Sequence, residues 1–268
     1  MGQNLEAYLQ HEGLKTKLFS LDFDQPSNLP DLSQTDLIIA IGGDGTLLRA
    51  GHMAAPLGIP LLGVQAGRLG FLAELDNDDW QLRMAELLKG QFRLEKRMML
   101  DAVLHRGGQK IKRWDVINEI VVSRGRFVRP IDIRVDLNEG YLTSYNADGM
   151  IVSTATGSTA YALACGGPIL PPELRNMLIL PIAPHLSLDR AVVLAEGATV
   201  TLRTNSDHEA VLSVDGMDPV KLFPEDRIQV SANDHSLSMV RFGEANYFYR
   251  NLIAVIQNNP INRTETNE

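Results

Sequence analysis

Cysteine is almost missing from the 268-residue chain, with Cys165 as its sole representative. One thiol leaves no internal disulfide and no cysteine cluster for zinc, which fits a reducing cytoplasm. Taken alone, Cys165 reads first as a small buried apolar residue. Basic charge is also scarce: 25 Lys and Arg stand against 33 Asp and Glu, for a formal net charge of −8. Sequence-independent nucleic-acid binding depends on neutralising phosphates with Lys and Arg, so this balance argues against it, and an anionic ligand would need a local pocket. No stretch reaches the roughly 20 apolar residues of a membrane span. Met1–Leu9 lacks the basic and apolar regions of a signal peptide. The expectation is a cytoplasmic protein with neither nucleic acid nor membrane as partner. At 44% hydrophobic and 22% charged residues, the composition is that of a globular chain, long enough to expect two domains.

Leu5, Tyr8 and Leu9 mark one helical stripe that ends near Gly13, and Leu14–Leu21 reads as a strand. Pro26–Ser33 reads as a loop. Asp36–Ile41 is a continuous apolar run, the pattern of a strand buried on both faces of a parallel sheet. It leads into Gly42-Gly43-Asp44-Gly45, with a helix expected over Thr46–Ala55. A second run, Ile59–Val64, leads into Gly67–Leu72, and Asn77-Asp78-Asp79 reads as the acidic first turn of a helix ending near Gly90. Strand and helix thus alternate, as in an α/β domain.

From about Arg93 the pattern changes to alternating, β-branched segments. Ile131–Leu137 followed by Asn138-Glu139-Gly140 is hairpin chemistry. Further strands are expected over Met99–Leu104, Glu119–Ser123, Leu142–Asn146, Ala198–Arg203, Ala210–Val214 and Arg227–Ala232, which predicts a β-sandwich. Thr154–Ala164 interrupts it with small residues and helix formers. The boundaries expected are 1–92 for the α/β domain, 93–241 for the β-sandwich, and 242–268 for a tail that packs back on the first domain, its polar end fraying.

Gly42-Gly43-Asp44-Gly45-Thr46 lies between a buried strand and a helix, where backbone amides and the helix dipole bind phosphate. A carboxylate there can accept a proton or help hold Mg²⁺. The plainer reading is a tight turn capped by aspartate. Thr154–Tyr161 offers hydroxyls and amides to a ribose or phosphate and a ring to a base; the plainer reading is a helix capped by Ser158 or Thr156. Asn118-Glu119 offers paired acceptors for a ribose diol, or is simply a solvated strand end. His185, between prolines 181 and 184 and the following loop, either meets a ligand or stiffens that loop. Asp215-Gly216 is first a hairpin turn and only second a ligand contact. No histidine stands at metal-ligand spacing with another histidine or cysteine, so no protein-built metal site is expected and any metal should travel with a nucleotide.

In this order, Gly-Gly-Asp-Gly-Thr at 42–46, Gly-Arg-Leu-Gly-Phe-Leu at 67–72, Asn-Glu at 118–119, Asp-Gly at 148–149, Thr-Gly-Ser-Thr-Ala-Tyr at 156–161, Gly-Gly-Pro-Ile-Leu at 166–170 and Pro-Ile-Ala-Pro-His at 181–185 resemble the NAD kinase family, from about Asp36 to Arg250. The resemblance implies an α/β N-terminal domain with a phosphofructokinase- or Rossmann-like parallel sheet, an all-β C-terminal sandwich domain, an NAD site between them, and a homodimer or homotetramer. It implies that Asp44 is the base. It also implies an NAD site made of Asp44, Gly45, Asn118, Glu119, Asp148, Ser158, Thr159, Ala160, Tyr161, Ala162, Leu163 and Ala164, with Phe71 on the adenine side and Ala183 against the ligand. The family often has basic or polar residues where His52 and Arg129 stand. Three departures are visible. Proline is usual at Ala155, glutamine is frequent at Met217, and the family's first strand with its turn is missing because Met1 falls within the first helix.

The implied reaction moves the terminal phosphoryl group of ATP, or of inorganic polyphosphate, to the 2′-oxygen of the adenosine ribose of NAD. Asp44 accepts the hydroxyl proton, Mg²⁺ or another divalent cation comes with ATP, and Asn118, Glu119 and Asp148 position the acceptor. Two alternatives stand beside this. A lipid kinase of the diacylglycerol or sphingosine type shares the Gly-Gly-Asp-Gly-Thr loop. A non-catalytic NAD-binding regulator would explain the missing strand. A further expectation is that Met1 is not the native start and that upstream codons encode an apolar strand and turn; otherwise the tail around Leu252–Ile256 closes a shortened domain.

Overall fold

The apolar run after Asp36 forms strand β1 (Ile38–Gly42), which pairs in parallel with β2 (Leu61–Gln65) from Ile38↔Leu61 to Gly42↔Gln65. Every residue of β2 is buried, because both faces of the strand are covered. Side chains alternate along a strand, and Leu47 of helix α2 (Asp44–Ala54) packs onto Gly63. Leu62 and Val64 point the other way, into a core with Leu5, Leu9, Leu75, Met84, Val240 and Phe242. That second layer is helix α1 (Gly2–His11) and helix α3 (Trp80–Leu88), joined by an edge-to-face contact of Tyr8 with Trp80 at 5.7 Å. A sheet covered on both faces is the α/β pattern.

The computed structural model describes residues 1–20, 30–67, 70–76, 79–138, 140–185, 189–205, 208–243, and 248, 249 and 252. Contacts divide the chain into two compact units: residues 1–94 with the described residues from Ser238 on, and Glu95–Leu237. The chain passes between them within two strands, β3 (Arg93–Arg106) and β14 (Arg227–Arg241). The end of β14 joins the first unit's sheet through the parallel pair Met239↔Leu61.

Two expectations in the first unit change. Leu14–Ser20 forms no strand, and Leu14, Leu18 and Phe19 are exposed. A strand exists by pairing, and these amides are used otherwise: Leu14 N–H donates to Leu9 O, and Leu18 N–H to Glu6 Oε1 at 3.2 Å. Helix α2 begins at Asp44 rather than Thr46, which makes Asp44 the first helical residue. Leu21, Pro26–Asn28 with the neighbouring Leu29, and Asn77-Asp78 lie outside the described residues, as does all of the tail after Gly243 except Phe248, Tyr249 and Leu252.

The second unit is a sandwich of antiparallel strands. One sheet runs from the β14 segment through β11 (Val200–Thr204) and β6 (Ile131–Leu137) to β7 (Gly140–Ala147); β3 pairs β14 and also β4 (Gln109–Val116). The other runs β10 (Val192–Ala195), β9 (Asn176–Ile182), β8 (Gly149–Thr154), β5 (Glu119–Arg124), β12 (Ala210–Val214), β13 (Val220–Leu222). Ile131, Ile133 and Val135 of the first meet Ile120, Val122, Met150 and Val152 of the second in one core. The second sheet is covered again outside: Ile151, Leu178 and Leu180 pack with Ala162 of the short helix α4 (Tyr161–Ala164). All six residues of β8 are therefore buried.

Candidate active site

In the first unit the motif residues converge on one carboxylate. Asp44 opens α2 directly after β1 and Gly43. Its Oδ2 accepts the N–H of Phe71 at 2.9 Å and its Oδ1 that of Leu72 at 3.1 Å. Gly70 makes this closure possible, since a Cβ there would overlap the Asp44 carboxylate. Gly70 N–H in turn donates to Gln65 Oε1 at 3.3 Å. Gly45 is exposed in the first turn of α2, where helix amides lack partners four residues back. His52 is half-buried in the last turn of α2, and eight residues at 1.5 Å each put it about 12 Å along the axis from Asp44. The geometry does not gather His52 with Asp44.

In the second unit, motifs far apart in sequence meet on neighbouring strands. Glu119 pairs with Ser153 across β5 and β8, and β12 pairs with β5 on the other side. The turn after β8 folds back on Asn118: its carbonyl accepts Thr154 N–H at 2.8 Å and the Ser153 hydroxyl at 3.1 Å. Gly157 permits this approach, because a Cβ would strike that same carbonyl. The Thr154 hydroxyl donates to Ile117 O at 2.7 Å and accepts Gly157 N–H at 3.0 Å. Arg97, buried beside Glu95, donates to the Thr156 hydroxyl at 3.3 Å. Asp215, at φ 48° beside Gly216 at φ 72°, forms the turn after β12. Its carboxylate accepts three amides, Ile117 at 2.8 Å, Asn118 at 2.8 Å and Glu119 at 2.9 Å.

Glu119 is the unusual group here. Its side chain is 7% exposed, and its Oε2 is buried without a hydrogen bond among the described residues. Burial raises its pKa to about 8, and the nearby Asp215 charge adds to the rise. A buried acceptor left open in this way is a place where a ligand hydroxyl would fit. Beside it, Tyr161 stands half-exposed on α4, hydrogen-bonded to the Cys165 thiol, which burial pushes upward.

At the other end of β8, Asp148 forms an ion pair with Arg124 at 3.0 Å and donates its N–H to Ile182 O. Ala183 follows at once, exposed and in the left-handed region at φ 46°. Thr159, Ala160, Leu163 and Ala164 line the loop and α4 with partial or full exposure. Ser158 is different: fully buried, it donates to Ala155 O at 2.7 Å and accepts Leu170 N–H at 3.0 Å. Ala162 is likewise buried in the layer over β8. These two side chains hold the loop from inside. Neither short helix has a side-chain cap bond, because the cap positions are Ala155 and Ala160; of the expected caps, the Thr156 hydroxyl meets Arg97 and that of Ser158 is bonded within the turn. Arg129 is exposed in the loop between β5 and β6 and joins none of these contacts. His185 pairs through its backbone with Asn146 O at 2.8 Å.

Residues 27–92 match the family model of the ATP-NAD kinase N-terminal domain, and residues 117–242 that of the ATP-NAD kinase C-terminal domain. The chain belongs to the NAD kinase family. It is 40% identical over 256 residues to an NAD kinase of Chloroflexus aurantiacus, covering 95% of this chain and 92% of that protein. An NAD kinase of Dehalococcoides mccartyi is 38% identical over 231 residues, covering 86% and 81%. Among solved structures, yeast NADH kinase complexed with NADH superposes with a TM-score of 0.75 at 25% identity, covering 87% of this chain and 69% of that one. An Archaeoglobus fulgidus NAD kinase in complex with ATP shares the fold at a TM-score of 0.76 and 23% identity, covering 96% and 94%.

Within that NAD kinase framework, Ala155, where the resemblance leads one to expect proline, sits at φ −60°, within the range a proline ring imposes. Its loop keeps its shape through Thr154, Gly157 and Ser158 instead. Sequence reasoning missed Arg97, Arg124 and Asp215 as an acceptor of backbone amides, and it read the Thr154 hydroxyl as a ligand contact where it ties the turn to Ile117. Only Asp215 carried a signal, and that signal was for a turn.

Proposed function

We propose that this chain transfers the terminal phosphoryl group of ATP to the 2′-hydroxyl of the adenosine ribose of NAD, giving NADP and ADP. The observation that carries this reading is Asp44: a carboxylate at the first position of a helix, fixed by two amides in the loop the family signature marks. Each carboxylate oxygen has about two lone-pair directions, so the bonds from Phe71 and Leu72 leave room to accept the hydroxyl proton as the oxygen attacks the terminal phosphorus. The Asp44 and Gly45 amides that begin α2 favour the phosphates, the Thr46 amide being bonded to Gly43 O at 2.9 Å. Asn118 and Glu119 at one end of β8, Asp148 and Ala183 at the other, and Tyr161 on the helix over the strand act on the dinucleotide. The five steps of β8 span roughly 17 Å, a fit to an extended ligand. Phe71 lines the adenine side in this reading, and His52 and Arg129 have peripheral roles.

Mg²⁺ enters with ATP as part of the substrate. Among the described residues no group of three or more His, Cys, Asp or Glu is placed to hold a metal, and Mg²⁺ is commonly held by one or two carboxylates together with substrate phosphates. The yeast relative carries NADH, which supports a dinucleotide in this fold. The proposal includes a cytoplasmic homodimer or homotetramer, with polyphosphate as a possible second donor. No helix among the described residues is long and apolar enough to cross a membrane. A coupled assay of NADP formation from ATP and NAD tests the reading. Turnover that needs both substrates is expected; NAD binding without turnover would make the chain a regulator instead.

A further inference from the structure

Behind the loop that grips Asp44 lies a buried ion pair that the proposed reaction does not itself use. Arg241, at the end of β14, meets Glu74 at 2.9 Å, and their side chains are 5% and 3% exposed. The second Glu74 oxygen accepts Phe242 N–H at 2.7 Å. Arg241 Nη1 also donates to Leu72 O at 3.3 Å and Ala73 O at 3.5 Å. Leu72 is therefore held from both sides: its carbonyl by Arg241, its N–H by Asp44. Glu74 N–H and Leu75 N–H both bond to Gly63 O, which ties the same loop to β2.

We propose that Arg241 and Glu74 are positioning residues for Asp44, acting through the backbone of Leu72; this rests on Asp44 being the base. A buried ion pair is a weak source of stability, because desolvation offsets much of the attraction, but it fixes direction well when its remaining hydrogen bonds are made. The guanidinium is suited to this: Nη1 alone reaches the Glu74 carboxylate and both loop carbonyls while Nη2 lies against Met239 Sδ at 3.8 Å, so the planar group sets the direction of Nη1, where an ammonium turns freely on its stem. With Nη1 so directed, Leu72 is fixed at its carbonyl as well as at its N–H, which limits how far the Asp44 carboxylate can turn.

The test uses the full chain in four forms: wild type, Arg241→Lys, Asp44→Asn, and the two combined. Arg241→Lys keeps the charge but not the planar group that directs Nη1, and it should lower kcat roughly 10- to 100-fold, as expected for a base displaced by an ångström or less. Both Michaelis constants should stay within about twofold, and thermal unfolding should remain cooperative; Glu74→Gln should follow the same pattern. In the Asp44→Asn background Arg241→Lys should cost nothing further, because the group it positions is gone. An equal loss in both backgrounds, or a loss carried by KM, would show a merely structural pair and overturn the proposal while leaving Asp44 as base. Near-wild-type turnover of Asp44→Asn alone would remove the base reading and this proposal with it. If Arg241→Lys does not fold, Glu74→Gln decides: it keeps the size of the side chain and removes the charge that aims Arg241, so undiminished kcat there would defeat the proposal.

Discussion

The carboxylate of Asp215 holds the backbone of Glu119 by its N–H at 2.9 Å while its charge opposes ionisation of the Glu119 side chain. Burial is the larger cause of the rise to about 8, from the ordinary 4.5 of a glutamate carboxyl. Between these two values the folded chain keeps a proton on Glu119 that the unfolded chain has released. Stability from this group is thus present at low pH, is lost as pH rises through that window, and stays lost above it.

Unfolding the unliganded chain in urea at pH 5.5 and pH 8.5 measures this. Glu119→Gln should flatten the difference and be the more stable protein at the higher pH, by on the order of 1 kcal/mol or more. Equal pH slopes for variant and wild type would show that Glu119 ionises normally.

Asp44→Asn preserves size and can still accept an amide from the Phe71–Leu72 pair, but it cannot take up the proton. NADP formation should fall by roughly 10²- to 10⁴-fold, with far smaller change in NAD affinity. Steady-state rates and equilibrium binding on the same preparation check it. Retained turnover would assign Asp44 to positioning or metal binding.

On the acceptor side, Asn118→Ala and Glu119→Gln should raise the Michaelis constant for NAD more than that for ATP. Tyr161→Ala should weaken NAD by about 0.5–1.5 kcal/mol through loss of a stacking surface. Equal effects on both substrates would remove these residues from the acceptor's side of the reaction.

Gly157→Ala should destabilise the chain by about 1–3 kcal/mol, because the added methyl meets the Asn118 backbone carbonyl, which cannot swing aside as a side chain would. The turn and Asn118 should separate together, so NAD affinity should fall with the melting temperature. A variant that melts normally and binds NAD normally would mean that the turn has room to shift.

Much of the sandwich was legible because one face of a strand is buried. Ile131, Ile133 and Val135 lie inside and Asp132 and Arg134 outside, so the sequence alternates as the structure does. Strands β8 and β9 were not read, since burial on both faces erases the alternation. Leu14–Leu21 had strand-like composition, but composition carries no information about whether a neighbour is there to pair. The Asp44 loop was visible because strand, glycines, acid and helix adjoin in sequence. Its support was not: Glu74 and Arg241 stand 167 residues apart and read singly as ordinary charged residues. Ser158 looked like a ligand contact because hydroxyls near a helix start bind anions, whereas its burial directs it to the backbone of its own loop.

Gly70 and Gly157 are small for the sake of neighbouring chain, one against a carboxylate and the other against a carbonyl. A descendant that exchanged Asp44 for an uncharged residue would still be under pressure to keep Gly157, and with it most of the pattern by which relatives are recognised. Inheritance of the signature therefore tracks a folded scaffold, while inheritance of chemistry, on the proposed reading, hangs on the single acid at position 44. Surveys that sort such proteins into active enzymes and silent copies should score that acid separately from the glycines around it.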